Sequence, residues 1–300
     1  MDNTGMDPVF LRTFTAVARL GSFSAAAREL GYTQSAVSQQ VAALESDLGA
    51  PLLERRPVRP TEAGRRLLEH AGPLLLRLDA ARADVRRLVG ARPARLVVGV
   101  SAPAVTDRLA RALTGVRAAH PGLDLTLRQL PRAAVAAEVA TGTVDLGLVD
   151  GVAAPSDPLG LPDVGPLLTV AVAEEPLALA LPVGHPLAAR PAVALADLAD
   201  ARWLDAPEVA MALDRLRAAA GSDGFRPATR YEGTELNGLL ALVAAGHGLA
   251  LLPAAAVHRA PGVAAVPLRT PRLVHRVELV HGSLPPGPAD RLVRLLAAAS

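Results

Sequence analysis

The sequence predicts an α/β protein in three parts: an all-α winged helix-turn-helix head, a long linker helix, and a C-terminal two-lobed α/β domain. Three observations carry that prediction. Helix-period apolar runs stop at Gly21, Gly31 and Gly49; Ala71, Leu74, Leu78, Ala81, Val85 and Leu88 step alternately by three and four; and strand-like and helix-like segments alternate from Leu96 to Val149. With 300 residues and 51% apolar side chains, the chain has material for two cores.

In the head, Asp7 caps a first helix with Pro8 at its first position, and Phe10, Leu11, Phe14, Val17 and Ala18 recur at helical spacing. Ser22 or Ser24 opens a short second helix that ends at Gly31, and Thr33 caps a third. In the third, Val37, Val41, Leu44 and Leu48 form an inward stripe, while Gln34, Ser35, Ser38 and Gln39 occupy the opposite face. Two short helices around a tight turn, the second showing uncharged hydrogen-bonding side chains, suit a helix-turn-helix on duplex DNA. Gln pairs bidentately with adenine in the major groove, and Ser contacts either partner of a base pair. Pro51 to Leu53 reads as a short strand and Glu54 to Pro60 as a tight loop, or wing, whose Arg55, Arg56 and Arg59 suit phosphates or a narrow minor groove. Each of these residues alone is as consistent with a solvated surface; the combination points to DNA. The charge agrees: between Arg55 and Arg66 five Arg face only Glu62, a local +4, in a chain of net charge +2.

Thr61 caps the linker helix, whose 3-4 repeat of apolar positions is that of a coiled coil with charged Arg77, Asp79, Arg82, Asp84, Arg86 and Arg87 outside it. About thirty residues reach roughly 45 Å, a length suited to pairing with a second copy; packing onto its own C-terminal domain is the alternative. Pro73 is expected to kink or restart the helix. Arg92-Pro93 marks the boundary to a βαβαβ order: strands Leu96 to Val100, Leu123 to Leu127 and Leu146 to Val149, with helices Thr106 to Ala119 and Ala133 to Ala140. A second lobe follows, with strands near Leu177 to Leu181, Trp203 to Leu204, Thr229 to Glu232 and Leu249 to Leu252, and helices near Val209 to Ala219 and Glu235 to Ala245. The chain returns through Val263 to Leu268 to a strand at Arg276 to Val280 and a helix from Ala289.

The run Phe23-Ser24-Ala25-Ala26-Ala27-Arg28-Glu29-Leu30, then Thr33-Gln34-Ser35-Ala36-Val37-Ser38-Gln39-Gln40, Leu44-Glu45, Leu48-Gly49, Pro51-Leu52-Leu53, Arg55 and Thr61-Glu62-Ala63-Gly64 resembles the N-terminal signature of LysR-type transcriptional regulators. Leu53 stands where many members carry Phe. The wing is short and stiffened by Pro57 and Pro60, similar to the branch that includes amino-acid-export regulators. Segments Leu96-Val97-Val98-Gly99-Val100, Gly142-Thr143-Val144-Asp145-Leu146 and Ala244 through Pro253 resemble the family's effector-binding domain, a periplasmic-binding-protein-like fold. The resemblance implies a DNA-binding domain at 7–66, a linker and dimerisation helix at 67–92, and an effector domain at 93–300, with lobe I near 93–164 and 269–300 and lobe II near 165–268. It implies double-stranded DNA, a small-molecule effector and RNA polymerase as partners. It also implies a homodimer through Leu74, Leu78, Ala81, Val85 and Leu88, and from it a dimer of dimers. Together with the rule that ligands sit at the carboxyl ends of sheet strands, it places the effector at Ser101, Ala102, Gln129, Leu130, Arg132, Asp150, Trp203, Pro207 and Thr234. Arg132 is the candidate for charge pairing. Ser101 and Thr234 are candidate carboxylate donors, and each is as readily a helix cap. Ser24 and Thr33 join the DNA-binding set.

Enzyme signals are poor. The chain has no Cys, which removes thiolate nucleophiles and Cys-based metal sites. Gly99-Val100-Ser101 fails the nucleophile-elbow pattern because Pro103 occupies the second Gly position, and Gly246-His247-Gly248 lacks the third Gly of a phosphate cradle. The seven His have no metal-ligand spacing, and His275 reads as an ordinary core or exposed strand residue. A non-enzyme without metal or cofactor is expected. Arg, Asp, Gly or Pro breaks every apolar run short of a membrane span, and Met1 to Phe10 lack a signal pattern, so a cytoplasmic chain with no membrane partner is expected. The rival functions are a solute-binding-type ligand binder and an architectural DNA-binding protein without an effector.

Overall fold

The computed structural model describes residues 6–89 and 95–298, with side chains through Arg86 in the first stretch. The chain divides between Arg82 and Ala83 into two compact units.

The first unit is built from capped helices. Asp7 accepts from the Val9 amide at 2.8 Å and starts α1 (Pro8–Leu20). Ser22 Oγ accepts from the Ala25 amide at 3.2 Å and starts α2 (Phe23–Leu30); Thr33 Oγ1 does the same for Ala36 at 3.2 Å and starts α3 (Gln34–Leu48). Gly31 turns the chain between α2 and α3 at φ 72°, a left-handed conformation that an L side chain resists. Phe14, Val17, Ala26, Val37, Val41, Leu44 and Leu52 close one core. Leu48, expected inside, is 40% exposed, because it lies at the last residue of α3, beyond that core.

The segment expected as a strand then a loop is a hairpin. Strands β1 (Leu53–Arg55) and β2 (Val58–Pro60) pair antiparallel, Glu54 opposite Arg59, around a two-residue turn at Arg56 and Pro57. Cross-strand pairing of opposite charges is a local stabiliser the loop reading did not include. Next, α4 (Glu62–Val89) starts where Thr61 Oγ1 accepts from the Gly64 amide at 3.0 Å. Gly64 passes the hairpin closely: a Cβ there would lie 2.1 Å from the Leu52 carbonyl oxygen. The helix continues through Pro73 without restarting, since the missing N–H falls on an exposed turn where water can serve the freed carbonyl. Along α4, Ala71 is buried, Leu78 is partly buried, Ala81 is exposed, and Leu74 and Val85 are 49% and 62% exposed. The side chain of Leu88 lies outside the described residues.

In the second unit, β3 (Arg95–Val100), α5 (Asp107–Ala119), β4 (Asp124–Gln129), α6 (Val135–Ala140) and β5 (Leu146–Ala153) form the expected βαβαβ order, with β3 parallel to both β4 and β5. Strand β6 (Leu168–Pro182) is longer than the Leu177–Leu181 expected. Its first half carries few buried residues and holds Glu174, Glu175 and Pro176, so its apolar signal is weak. The chain continues through β7 (Val193–Ala194), β8 (Trp203–Asp205), α7 (Leu213–Ala220), β9 (Pro227–Arg230), α8 (Leu236–Ala244), β10 (Ala250–Pro253), α9 (Ala254–His258), β11 (Val263–Thr270), β12 (Val274–His281) and α10 (Pro288–Ala297). Helix α7 begins four residues later than expected, because Val209, Ala210 and Met211 are buried ahead of it and the Met211 amide donates to the Leu251 carbonyl.

The strand order is β4-β3-β5-β12-β6-β11-β7, with β10 also on β6. Strand β6 pairs with β12 up to Pro176, with β10 from Leu177 and with β11 from Ala178, so it runs through both lobes. Lobe I closes around Leu146, Leu148, Leu109, Val116 and Leu279. Lobe II closes around Trp203, Phe225, Leu179 and Leu251, with a further cluster under α8.

Candidate nucleic-acid face and interlobe cavity

On the first unit, Gln34, Ser35 and Gln39 are exposed and Ser38 is half-buried. The first turn of α3 is tethered: Ser24 Oγ donates to Gln34 Oε1 at 2.8 Å, and the Thr33 and Ser35 hydroxyls lie 3.0 Å apart. Thr33 is thereby occupied as a cap, whereas Gln39 has no side-chain hydrogen bond among the described residues. The hairpin separates its three arginines. Arg55 lies over the Phe23 ring at 4.9 Å and bonds Glu45 Oε2 at 3.3 Å, while Glu45 Oε1 also accepts the Leu52 and Leu53 amides. Arg59 bonds Glu54 at 2.5 Å, and that hydrogen bond raises its pKa further. Arg56, at the tip, is exposed and has no ion pair among the described residues. Two of the three wing arginines therefore brace the hairpin. Arg28, not singled out by sequence, is a further exposed cation without an ion pair among the described residues.

In the second unit a cavity of about 310 Å³ lies between the lobes. Of the expected effector residues, Arg132, Asp150 and Pro207 line it. Arg132 grips Asp150 with both Nε at 3.1 Å and Nη2 at 2.6 Å. Its Nη1 donates to the Pro207 carbonyl at 2.5 Å, and its amide donates to Glu208 Oε2 at 2.9 Å. A lobe I arginine thus holds lobe II backbone.

Behind it runs a chain of alternating charge. Ser101 Oγ donates to Asp150 Oδ1 at 2.7 Å and accepts from the Asp150 amide at 3.0 Å. His275 Nε2 lies 3.2 Å from Asp150 Oδ2, and its Nδ1 lies 3.3 Å from Glu175 Oε1. Burial pushes the Asp150 carboxyl up, but the His275 hydrogen bond and the Arg132 charge outweigh it and bring it to about 2. Burial pulls His275 down, but hydrogen bonds and charge from Asp150 and Glu175 outweigh it and raise it above its ordinary value. The His275 hydrogen bond in turn holds Glu175 low against its own burial. With His275 protonated, two cations and two carboxylates alternate and the cluster neutralises itself.

The other expected effector residues sit elsewhere. Trp203 is fully buried in the lobe II core, its Nε1 donating to the Leu198 carbonyl at 3.0 Å and its ring 5.4 Å from Phe225. Leu130 packs against Gly99 and Val144 in lobe I, Ala102 packs on the cluster under α8, and Gln129 is exposed at the end of β4. Thr234 precedes α8, whose cap position is Glu235, and does not line the cavity. The Ser101 hydroxyl is committed to Asp150. Sequence reasoning missed His275, Glu175, Glu208 and Arg215. His275 meets Asp150 only through the β5-β12 register, which the chain order does not reveal.

The first unit thus carries a helix-turn-helix with a hairpin wing, and the second a two-lobed α/β sheet. Residues 10–65 match the bacterial regulatory helix-turn-helix protein, lysR family, and residues 90–299 match the LysR substrate binding domain. The chain belongs to the LysR family. It is 39% identical over 204 residues to a small neutral protease regulatory protein of Streptomyces coelicolor, a match covering 66% of this chain and 59% of that one. The match thus spans less than two thirds of that relative's length. It is 32% identical over 249 residues to the uncharacterized HTH-type transcriptional regulator YnfL of Escherichia coli, covering 81% of each chain. Its fold is similar to that of full-length CbnR in complex with its target DNA, at TM-score 0.55 and 24% identity, over 98% of this chain and 100% of that one. None of the described helices is long and apolar enough to cross a membrane.

Proposed function

We propose that this protein is a cytoplasmic, sequence-specific DNA-binding transcriptional regulator controlled by a small molecule bound in the interlobe cavity, and that it acts by binding rather than catalysis. On this reading 7–66 is the DNA-binding domain, 67–92 the linker and dimerisation segment, and 93–300 the effector domain. The observation that carries the reading is α3: a capped helix after a tight turn, with Gln34, Ser35, Ser38 and Gln39 on the face away from the core. Those side chains read base edges, and Arg56 meets backbone phosphate. Family membership supports this, as does the fold it shares with a regulator seen on its target DNA.

The cavity lies where α/β folds bind ligands, and Arg132 ties the lobes across it. An effector acts by favouring one lobe arrangement over another. Exposure of Leu74 and Val85 on α4 supports pairing with a second copy, and a dimer of dimers beyond it. The test is fluorescence anisotropy of the full chain on its own promoter region against random duplex, over a range of salt. Specific binding exceeds non-specific binding and weakens with salt; equal affinity for both duplexes removes the base-reading role.

A further inference from the structure

Resting on the reading of the interlobe cavity as the effector site, we propose that Arg215, and not Arg132, is the cavity's anion anchor, and that the ligand is a small monocarboxylate with an apolar body. Arg132 is the obvious cation, but its charge is already paired: Asp150 takes Nε and Nη2, and the Pro207 carbonyl takes Nη1. Asp150 cannot be titrated off it near neutral pH, since His275 on its other side helps to hold it ionised. A ligand carboxylate gains little from a guanidinium whose charge is already cancelled at 2.6 Å.

Arg215 stands differently. It lines the same cavity from the first turn of α7, its Nη1 meets only the Val152 carbonyl at 3.3 Å, and it forms no ion pair among the described residues. Val149, Leu159, Leu161 and Met211 give the same cavity apolar lining. Such walls favour a hydrocarbon body, while Arg215 is exposed and open to an anion. Glu208 completes the selection. It lines the cavity, holds the Arg132 amide through Oε2, and forms no ion pair among the described residues. A second carboxylate on the ligand meets its repulsion. A lining that holds Arg215 and Glu208 outside any ion pair among the described residues, together with apolar side chains, therefore accepts one carboxylate and discriminates against two.

The test is a thermal-shift and calorimetric titration of the full chain with isovalerate and phenylacetate, their primary amides, succinate and leucine. The same titrations are run on Arg215→Gln, Arg215→Lys and the cavity-filling Ala212→Phe. At least one acid is expected to stabilise the chain while its amide and succinate do not. Arg215→Gln should weaken that acid about 10- to 100-fold, the range of a charge-assisted hydrogen bond, with partial recovery in Arg215→Lys. Equal stabilisation by acid and amide, undiminished binding to Arg215→Gln, or stronger binding of succinate or leucine overturns the proposal; so does a null result with both acids. The two readings separate through Ala212→Phe. A wider metabolite screen whose hits are lost in that variant, yet insensitive to Arg215→Gln, leaves the cavity as effector site with another ligand class. Hits that survive Ala212→Phe overturn the cavity reading itself.

Discussion

The two units place their polar side chains in opposite circumstances. On α3, Gln39 is exposed and without a hydrogen bond, and at the hairpin tip Arg56 is exposed and without an ion pair, among the described residues. Between the lobes, Arg132, Asp150, His275 and Glu175 are bonded to one another, with Asp150 and His275 buried. A face meant for an external partner keeps its hydrogen-bonding capacity unspent, whereas a buried charge needs internal partners because burial without them is costly. Removing a group should therefore disturb stability in the second unit and binding in the first.

The largest effect is expected at Asp150. Asp150→Ala removes the buried carboxylate that Arg132, His275 and Ser101 share and should lower unfolding free energy by roughly 3 to 5 kcal/mol. Trp203, the one Trp in the chain and buried in lobe II, reports this in urea denaturation. A loss within experimental error would break the contrast. The pH dependence follows from the same cluster. Asp150 is lowered on folding from 3.8 to about 2, so its contribution is present above about pH 4 and is lost as pH falls toward 2. The size is about 2 kcal/mol. His275 is raised on folding, so its contribution is complete below about pH 6.5 and is lost as pH rises through the higher folded value. By Trp203 fluorescence at fixed urea, Asp150→Asn should remove the acid limb and shrink the alkaline one, whereas His275→Gln should remove the alkaline limb and shrink the acid one, because each group shifts the other.

In the first unit, replacing Ser38 and Gln39 together by Ala should weaken specific DNA binding by about 1 to 3 kcal/mol while sparing non-specific binding. Thermal stability should hardly change, and a large fall in melting temperature would show these groups to be structural. The smallest effect separates the wing arginines. Arg56→Ala should reduce the salt slope of DNA binding by about one unit, and Arg59→Ala by less, because Glu54 already neutralises it. Equal slopes for the two variants would erase that distinction.

Legibility in the sequence follows the same division. Asp7, Ser22, Thr33 and Thr61 announce the helix starts of the head because a cap acts within three residues of itself. The face of α3 follows from its helical period. The cavity was read less well: Arg132, Asp150 and Pro207 line it, but Trp203 is core, Leu130 is packed, and Arg215 was not anticipated. A strand end points toward a ligand crevice in general terms, yet which side chain enters it depends on neighbours brought from far along the chain.

Local chemistry thus dictated the helix boundaries, the polar face of α3 and the order of strands and helices, since each depends on contacts between residues a few positions apart. Long-range pairing alone decided that β6 spans both lobes and that Asp150, His275 and Glu175 meet across three adjacent strands. It also decided that Arg132 is neutralised while Arg215 is not. Register and burial between distant segments set the ionisation and availability of those groups, and neither is encoded within any single stretch of chain.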